Sequence, residues 1–187
     1  MKNDITASIV LFNNNYDELK PIIKLVNESN LRIKLIFIDN SKHPNNEFVK
    51  NINNKFIYKH SKNNLGYGKG QNEALKIIYN KSKFHIFLSY DIKLEKNFFN
   101  DVFTFMLNHE QIFICVPKIL NYDKTIQLSI RNFPTPMDLF IRLLPKSFKI
   151  FESKKDVYEV QRRYGHNEYM SVPVASGAVV IFKNKIS

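Results

Sequence analysis

Several residue types are scarce in this 187-residue chain, and each scarcity narrows what the protein can be. There is no tryptophan and a single cysteine, Cys115, so no internal disulfide can form. Such cysteine usage is typical of a reducing compartment, and we expect a cytoplasmic protein. No apolar run reaches the roughly 18–20 residues of a membrane-spanning helix. The N-terminal residues enter a strand pattern without the apolar core of a signal peptide.

Acidic residues are also few. Seventeen Asp and Glu residues stand against 28 Lys and Arg residues, which gives a formal net charge of +11. This excess predicts an anionic partner, such as a nucleic acid, a membrane surface or a phosphorylated small molecule. The chain lacks zinc-ligand spacing, aromatic RNA-binding motifs and a helix-turn-helix pattern, so we expect no nucleic acid as partner. Its length and 44% hydrophobic content favour one globular domain.

Glycine is scarce as well, and three of the five glycines lie at positions 66, 68 and 70. Glycine suits positive φ values and places where a ligand approaches the main chain. The stretch begins with polar Asn63 and Asn64 and ends in the helix-forming residues 71–78. It therefore predicts a loop that opens a helix, whose free N–H groups suit a phosphate. An ordinary glycine-rich turn is the alternative, and the GxGxxG dinucleotide motif fails because Gln71 replaces its third glycine.

Strand and helix patterns alternate along the first 110 residues. Apolar runs predict strands over 6–12, 33–38, 56–58 and 85–88, and helical spacing predicts helices over 16–28, 47–52, 71–78 and 98–106. This alternation predicts an α/β fold with a mainly parallel sheet and helices on both faces. Such sheets bind ligands beyond the carboxyl ends of their strands, where Asn13, Asp39 and Asp91 lie.

The pattern changes after Cys115. Val116–Leu120 and Thr125–Arg131, joined by four turn-forming residues, predict a small antiparallel hairpin. A short helix is predicted over 137–144, and a further strand over 171–182. The mixture of basic and apolar residues over 137–155 fits peripheral contact with an anionic membrane, packing on the core, or a homodimer contact.

Seven segments, taken in order, resemble the family 2 glycosyltransferases, and most closely their rhamnosyltransferase branch, which acts in the synthesis of bacterial cell-surface polysaccharides. The segments are Ala7–Asn13, Phe37–Ser41, Asn64–Asn72, Leu88–Asp91, Val116–Leu120, Arg131–Thr135 and Ala175–Ala178. The resemblance covers nearly the whole chain. It implies a single GT-A-like (Rossmann-like) domain over 1–187, with a nucleotide-binding half over about 1–115 and an incomplete acceptor-side half over about 116–187.

The resemblance also implies roles for matching positions in binding a nucleotide sugar. Phe12 and Asn13 would contact the nucleotide, and Asp39 would accept a hydrogen bond from a pyrimidine base. Asn72 would help to fix the loop that lies over the nucleoside. That loop would contribute Asn64, Leu65, Gly66 and Gly68.

Two further positions concern the metal and the sugar. Asp91 matches the last position of the family's metal motif and would hold Mg²⁺ or Mn²⁺ against the donor diphosphate. The motif is usually Asn-Pro-Asp or Asp-x-Asp, and here it is Ser89-Tyr90-Asp91, with one carboxylate. Gly177 would let the backbone approach the acceptor or the sugar.

The residues alone also allow ordinary structural roles at these positions. Asp39 and Asp91 follow strands, where aspartate commonly forms turns or caps helices. His85 lies inside an apolar strand and is expected to be a core residue, not a ligand. Cys115 is expected to be a small buried hydrophobic residue.

The resemblance implies a metal-assisted, inverting transfer of a rhamnose-like sugar. The donor would be dTDP- or UDP-linked, the acceptor a polysaccharide or a lipid-linked saccharide, and the location the inner face of the membrane. In the family a further acidic pair supplies the general base after the Ser-Gly-Ala strand, and this sequence ends at Ser187, so we name no base. We therefore expect a truncated enzyme that binds the nucleotide sugar with feeble or absent transfer. The alternative is a non-catalytic nucleotide-sugar-binding module.

Overall fold

The computed structural model describes residues 3–51, 53–127, 130–131, 133, 136 and 169–184. Contacts divide the chain into two compact units, Met1–Val116 with Gly177–Ser187, and Pro117–Ser176. The helices are α1 (Tyr16–Glu28), α2 (Asn46–Asn51), α3 (Tyr67–Ile78) and α4 (Phe98–Asn108). The strands are β1 (Asn3–Leu11), β2 (Ile33–Asp39), β3 (Phe56–His60), β4 (Ser82–Leu88), β5 (Ile114–Cys115), β6 (Ile130–Arg131), β7 (Val174–Ala175) and β8 (Val179–Lys183).

The first unit is built on a six-stranded sheet. Its strand order is β3-β2-β1-β4-β8-β5. Strands β1 to β4 are mutually parallel, whereas β8 runs antiparallel to both β4 and β5. Parallel neighbours need a crossover connection, and helices supply it between successive strands. The predicted α/β fold with a mainly parallel sheet is confirmed.

One face of this sheet carries the larger apolar core. Because side chains alternate along a strand, every second residue of β1, β2, β4 and β8 points to this face. Helices α1, α2 and α4 cover it. Their buried side chains there are Leu19, Ile22, Val26, Phe48, Phe99 and Met106.

Helix α3 covers the opposite face. Its Ala74 and Ile78 pack against Ile36 and Ile38 of β2 in a second, smaller core. These two strand residues alternate with the β2 residues of the larger core, as a sheet covered on both faces requires. The prediction of helices on both faces is therefore confirmed.

A buried polar cluster lies on the face covered by α3. Thr6 Oγ1 lies 2.8 Å from His85 Nδ1, and Ser8 Oγ lies 2.9 Å from His85 Nε2. The Ser8 hydroxyl also donates to Gln71 Oε1 of α3. His85 is fully buried, and this burial lowers its pKa to about 3. His85 is therefore a neutral, hydrogen-bonded core residue at pH 7, as the sequence predicted.

The second unit contains the predicted hairpin. Leu120 and Ile126 form an antiparallel bridge. The turn between them is closed by the Asn121 N–H, which donates to the Thr125 carbonyl at 2.8 Å. Strands β6 and β7 form a separate two-stranded antiparallel sheet. These elements confirm the small antiparallel part of the predicted fold.

Two predicted boundaries differ from the structure. Helix α3 begins at Tyr67, so two of the three clustered glycines are helical and the loop is shorter than predicted. The single strand predicted over 171–182 is two strands, because a turn at Gly177 and Ala178 interrupts it. The helix predicted over 137–144 and the basic segment to Lys155 lie outside the described residues.

Cys115 of β5 is half-buried and packs against the larger core. Burial raises the pKa of its thiol to about 11, so the thiol stays protonated at pH 7. Across the described ranges, no helix combines the length and apolar character needed to cross a membrane.

Candidate functional site

The carboxyl ends of the parallel strands lie side by side. Leu11, the last residue of β1, pairs with Asp39 of β2, and Asp39 pairs with His60 of β3. Strand β4 ends on the other side of β1. Strand β8 begins at the same place, with Val179 opposite Leu88 of β4. We call this region, with the loops that leave it, the carboxyl edge.

The residues predicted from the sequence to form the site lie on the carboxyl edge or on the first turns of α3. Leu65 is half-buried and Asp39 is buried. The exposed members are Phe12, Asn13, Asn64, Gly66, Gly68, Asn72, Asp91 and Gly177. The structure therefore gathers the predicted residues in one region of the first unit, and their binding roles stay predictions.

Asp39 is engaged inside the protein. Only 1% of its surface is exposed. Its Oδ1 accepts from the Ser41 N–H at 2.9 Å, which forms a turn, and its Oδ2 accepts from the Tyr58 hydroxyl at 2.5 Å. This arrangement is the turn-forming role that the sequence left open. The Ser41 N–H or the Tyr58 hydroxyl would have to move before a base N–H could bind this carboxylate.

The loop after β1 is held to the loop after β2. The Asn13 N–H donates to Ser41 Oγ at 2.7 Å, and Asn13 has a positive φ of 57°. Asparagine tolerates this left-handed conformation better than most residues. The Phe12 N–H donates to Asn14 Oδ1 at 2.8 Å, while the Phe12 ring is 54% exposed. An exposed ring at this position offers a flat surface on which a base can stack.

Asn40 ties the glycine loop to the sheet. Its N–H donates to the Leu11 carbonyl at 2.9 Å, and its Nδ2 donates to the Gly66 carbonyl at 3.2 Å. The Gly66 N–H donates to Asn64 Oδ1 at 2.9 Å. Gly66 has a φ of +75°, a conformation that favours glycine. The loop is thus fixed by Asn40 and Asn64, whereas Asn72 lies exposed on α3.

Gly70 serves close packing between α3 and β1. A Cβ added there would lie 2.8 and 2.9 Å from the two methyl groups of Val10. A Cβ at Gly68 would have nothing within 4 Å. The clustered glycines therefore have different structural roles, which the sequence pattern did not distinguish.

The turn before β8 is hydrogen-bonded to α3 and to the loop after β4. The Tyr67 hydroxyl donates to the Gly177 carbonyl at 2.9 Å. The Ser89 N–H donates to the Ala178 carbonyl at 2.7 Å. Burial raises the pKa of the Tyr67 hydroxyl, so it remains a donor at neutral pH. These bonds bring Gly177 to the carboxyl edge.

Asp91 supplies an exposed carboxylate after β4. Its Oδ1 accepts from the Ser89 hydroxyl at 2.6 Å. Among the described residues, no three His, Cys, Asp or Glu side chains cluster as metal ligands. One exposed carboxylate suits Mg²⁺ or Mn²⁺ when diphosphate and water oxygens supply the remaining ligands. The residues present therefore fit the implied metal as a single protein ligand.

Four residues that hold the carboxyl edge together had no predicted role of their own. Asn40 and Ser41 belonged to a segment that carried the resemblance, which was a signal for them. Tyr67 likewise belonged to a segment that carried the resemblance, Asn64–Asn72, whereas Tyr58 gave no sequence signal because its partners are distant in the chain.

Two solved structures have a similar fold. One is TarS residues 1–349 from S. aureus in complex with UDP, at 17% identity and a TM-score of 0.55. The match covers 69% of this chain and 40% of that one. The other is the mannosyltransferase PcManGT from Pyrobaculum calidifontis in complex with GDP-Man and Mn²⁺, at 11% identity and a TM-score of 0.56. That match covers 98% of this chain and 45% of the mannosyltransferase. The chain thus spans less than half the length of either structure.

These likenesses support the GT-A-like fold that the sequence predicted. No curated protein matches the sequence. The family model described as Glycosyl transferase family 2 matches residues 7–176, which is most of the chain. The chain therefore belongs to glycosyl transferase family 2.

Proposed function

We propose that the carboxyl edge binds a nucleoside diphosphate sugar and that the protein transfers the sugar to an acceptor. One observation carries this proposal. The loops after β1, β2 and β4, the glycine loop and the turn before β8 meet at one edge of the sheet and are joined by hydrogen bonds. Ligands of open parallel sheets bind at such an edge. Membership of glycosyl transferase family 2 supports the reaction class.

The finer assignment rests on the resemblance described above. We propose a rhamnose-like sugar, a dTDP- or UDP-linked donor, and a polysaccharide or lipid-linked acceptor in an inverting transfer. The two similar structures contain UDP and GDP-Man, so the base has to be determined by experiment. We further propose a cytoplasmic protein at the inner face of the membrane, which flotation with anionic liposomes tests. Absence of flotation with anionic liposomes would contradict the membrane contact.

Several groups are available to hold the nucleotide. The exposed ring of Phe12 and the backbone of Asn13 would contact the base and ribose. The loop from Asn64 to Gly68 would cover the nucleoside, and Gly177 would leave space for the sugar because no atom lies within 4 Å of its Cβ position. Asp39 would accept from the base only after a rearrangement, and otherwise it orders the loop beneath.

Asp91 is the residue that would hold Mg²⁺ or Mn²⁺. When bound, the cation supplies positive charge opposite the leaving diphosphate. The Ser89 hydroxyl orients the Asp91 carboxylate by donating to Oδ1. The protein's own part in this region is therefore to fix one hard oxygen ligand beside the end of β4.

Titration calorimetry tests the donor site. UDP, dTDP and GDP are titrated with and without Mn²⁺. We expect at least one nucleotide to bind, more tightly with Mn²⁺. Absence of binding by all three would contradict the proposal.

The variant Asp91→Asn isolates the metal ligand. In this variant Mn²⁺ should no longer tighten nucleotide binding, so the affinity measured with Mn²⁺ should fall by roughly 10-fold or more, as expected for a lost interaction with a charged group. Asp101→Asn is the matched control, because Asp101 is an exposed residue on α4. An unchanged Mn²⁺ effect in Asp91→Asn would exclude Asp91 as the ligand.

A non-catalytic nucleotide-sugar-binding module is the second candidate function, because the sequence offers one carboxylate in the metal motif. Hydrolysis of the nucleotide sugar that binds best separates the two functions. Turnover that depends on Asp91 supports an enzyme. Tight binding without any turnover supports the binding module.

A further inference from the structure

The hydroxyl of Tyr58 lies where three segments of the carboxyl edge meet. Tyr58 is on β3, the outermost strand of the sheet. Its hydroxyl donates to Asp39 Oδ2 at 2.5 Å and accepts from the Asn45 N–H at 2.9 Å. Its ring stacks on Phe48 of α2 with a centroid distance of 5.6 Å. One side chain thus connects β2, β3 and the segment that leads into α2.

The connection continues to the loop after β1. Asn45 Nδ2 donates to the Asn14 carbonyl at 3.1 Å, and Asn45 Oδ1 accepts from the Glu47 N–H at 3.0 Å. On the other side of Asp39, the Ser41 N–H donates to Oδ1, and Ser41 Oγ accepts from the Asn13 N–H. The loop after β1, which would contact the base, and the loop after β2 are therefore both tied to the Asp39–Tyr58 pair.

The Tyr58 hydroxyl cannot be removed without loss to its partners. Burial, together with the hydrogen bond to Asp39, raises the Tyr58 pKa well above its ordinary value, so the hydroxyl keeps its proton. A phenylalanine would preserve the ring stacking on Phe48. It would leave both Asp39 Oδ2 and the Asn45 N–H without the partner they have now, and unpaired buried polar groups are costly.

We propose that Tyr58 is a positioning residue for base recognition, which holds Asp39 and the loops after β1 and β2 in one arrangement. This inference rests on the proposed function. Without the hydroxyl, these loops take up several arrangements, and contacts to the base lose more than contacts to the diphosphate. The expected consequence is a loss of selectivity among nucleotides.

The test compares Tyr58→Phe with Tyr79→Phe, a control at a tyrosine that is 73% exposed on the surface. Dissociation constants are measured for UDP, dTDP and GDP with Mn²⁺. Tyr58→Phe should weaken the preferred nucleotide by roughly 10-fold. It should also reduce the ratio of affinities between the preferred and the poorest nucleotide. The control should change neither.

The ratio separates positioning from a structural role. A variant that is only less stable lowers the folded fraction, which reduces all three apparent affinities equally and leaves the ratio unchanged. An unchanged ratio in Tyr58→Phe would overturn the inference. Absence of nucleotide binding by the wild-type protein would instead overturn the proposed function.

A second variant provides the test if Tyr58→Phe does not fold. Asn45→Ser keeps a side-chain oxygen that can cap α2, but it lacks the amide that reaches the Asn14 carbonyl. It should lower the same ratio in the same direction. Retention of full selectivity by Asn45→Ser in that case would overturn the inference.

Discussion

Substitution of Gly70 by alanine probes the contact that sets the position of α3 over β1. The new Cβ would lie 2.8 Å from Val10 Cγ2 and 2.9 Å from Val10 Cγ1, closer than carbon atoms approach without movement. Val10 is β-branched and has few alternative rotamers, so relief requires a shift of the helix or the strand. A shift of α3 outward would also lengthen the Asn40–Gly66 hydrogen bond, because Asn40 Nδ2 lies 3.5 Å from the same Cβ position.

Gly68→Ala is the matched control. It lies two residues earlier in the same helix, and its Cβ would have nothing within 4 Å. Replacing glycine by alanine in a helix gains up to about 1 kcal/mol at either position. Overpacking at Gly70 costs about 1–3 kcal/mol. Gly70→Ala should therefore be less stable than Gly68→Ala by about 1–3 kcal/mol, or roughly 2–4 °C in melting temperature for each kcal/mol.

Urea denaturation of both variants and of wild type measures this difference. Adding Val10→Ala to Gly70→Ala removes the two clashing methyl groups and should recover part of the loss, which the double-mutant cycle detects as coupling. Nucleotide affinity should also fall in Gly70→Ala. Equal stability of the two alanine variants, with no coupling to Val10, would refute the close packing of α3 on β1.

Two further predictions concern buried and linking side chains. Folding lowers the pKa of His85 from 6.5 to about 3, so the unfolded chain binds more protons than the folded chain between these pH values. The contribution of a neutral His85 to the free energy of unfolding is therefore fully present above about pH 6.5 and is lost as the pH falls toward 3. Between about pH 7 and pH 5, the free energy of unfolding measured by urea denaturation should fall by about 2 kcal/mol more in wild type than in His85→Gln. Parallel pH dependences of the two proteins would refute this prediction. Tyr67→Phe removes the hydrogen bond to Gly177 and should cost about 0.5–1.5 kcal/mol, with Tyr79→Phe as the exposed control. A thermal midpoint for Tyr67→Phe equal to that of the control would argue against a stabilising role for this bond.

Local pattern in the sequence predicted most elements of the first unit. Helix α1 was predicted over 16–28 and occupies Tyr16–Glu28, because its apolar spacing is regular. Strands β1 and β4 begin three residues earlier than predicted, at Asn3 and Ser82. Each of these extensions begins with two polar residues, Asn3 and Asp4 in β1 and Ser82 and Lys83 in β4. They become strand only through pairing with a neighbouring strand, which a local pattern does not contain.

The candidate site was predictable only in part. The resemblance and the strand ends located Asp39 and the glycine loop. The contact between Tyr58 and Asp39 depends on the register of β2 and β3, which places Phe37 opposite Tyr58 and lets the hydroxyl reach two residues further along β2. Register is fixed by tertiary packing, so no periodicity in the sequence could reveal this pair.

Amide chemical-shift mapping with Mg²⁺ and the best-binding nucleotide shows whether the carboxyl edge is the donor site. We expect the amide resonances of residues 12–13, 64–68, 91 and 177 to shift. The opposite ends of the strands, at Asn3, Ile33 and Ser82, should keep their resonance positions. Saturable shifts at those opposite ends, with the carboxyl edge unchanged, would show that the nucleotide binds elsewhere.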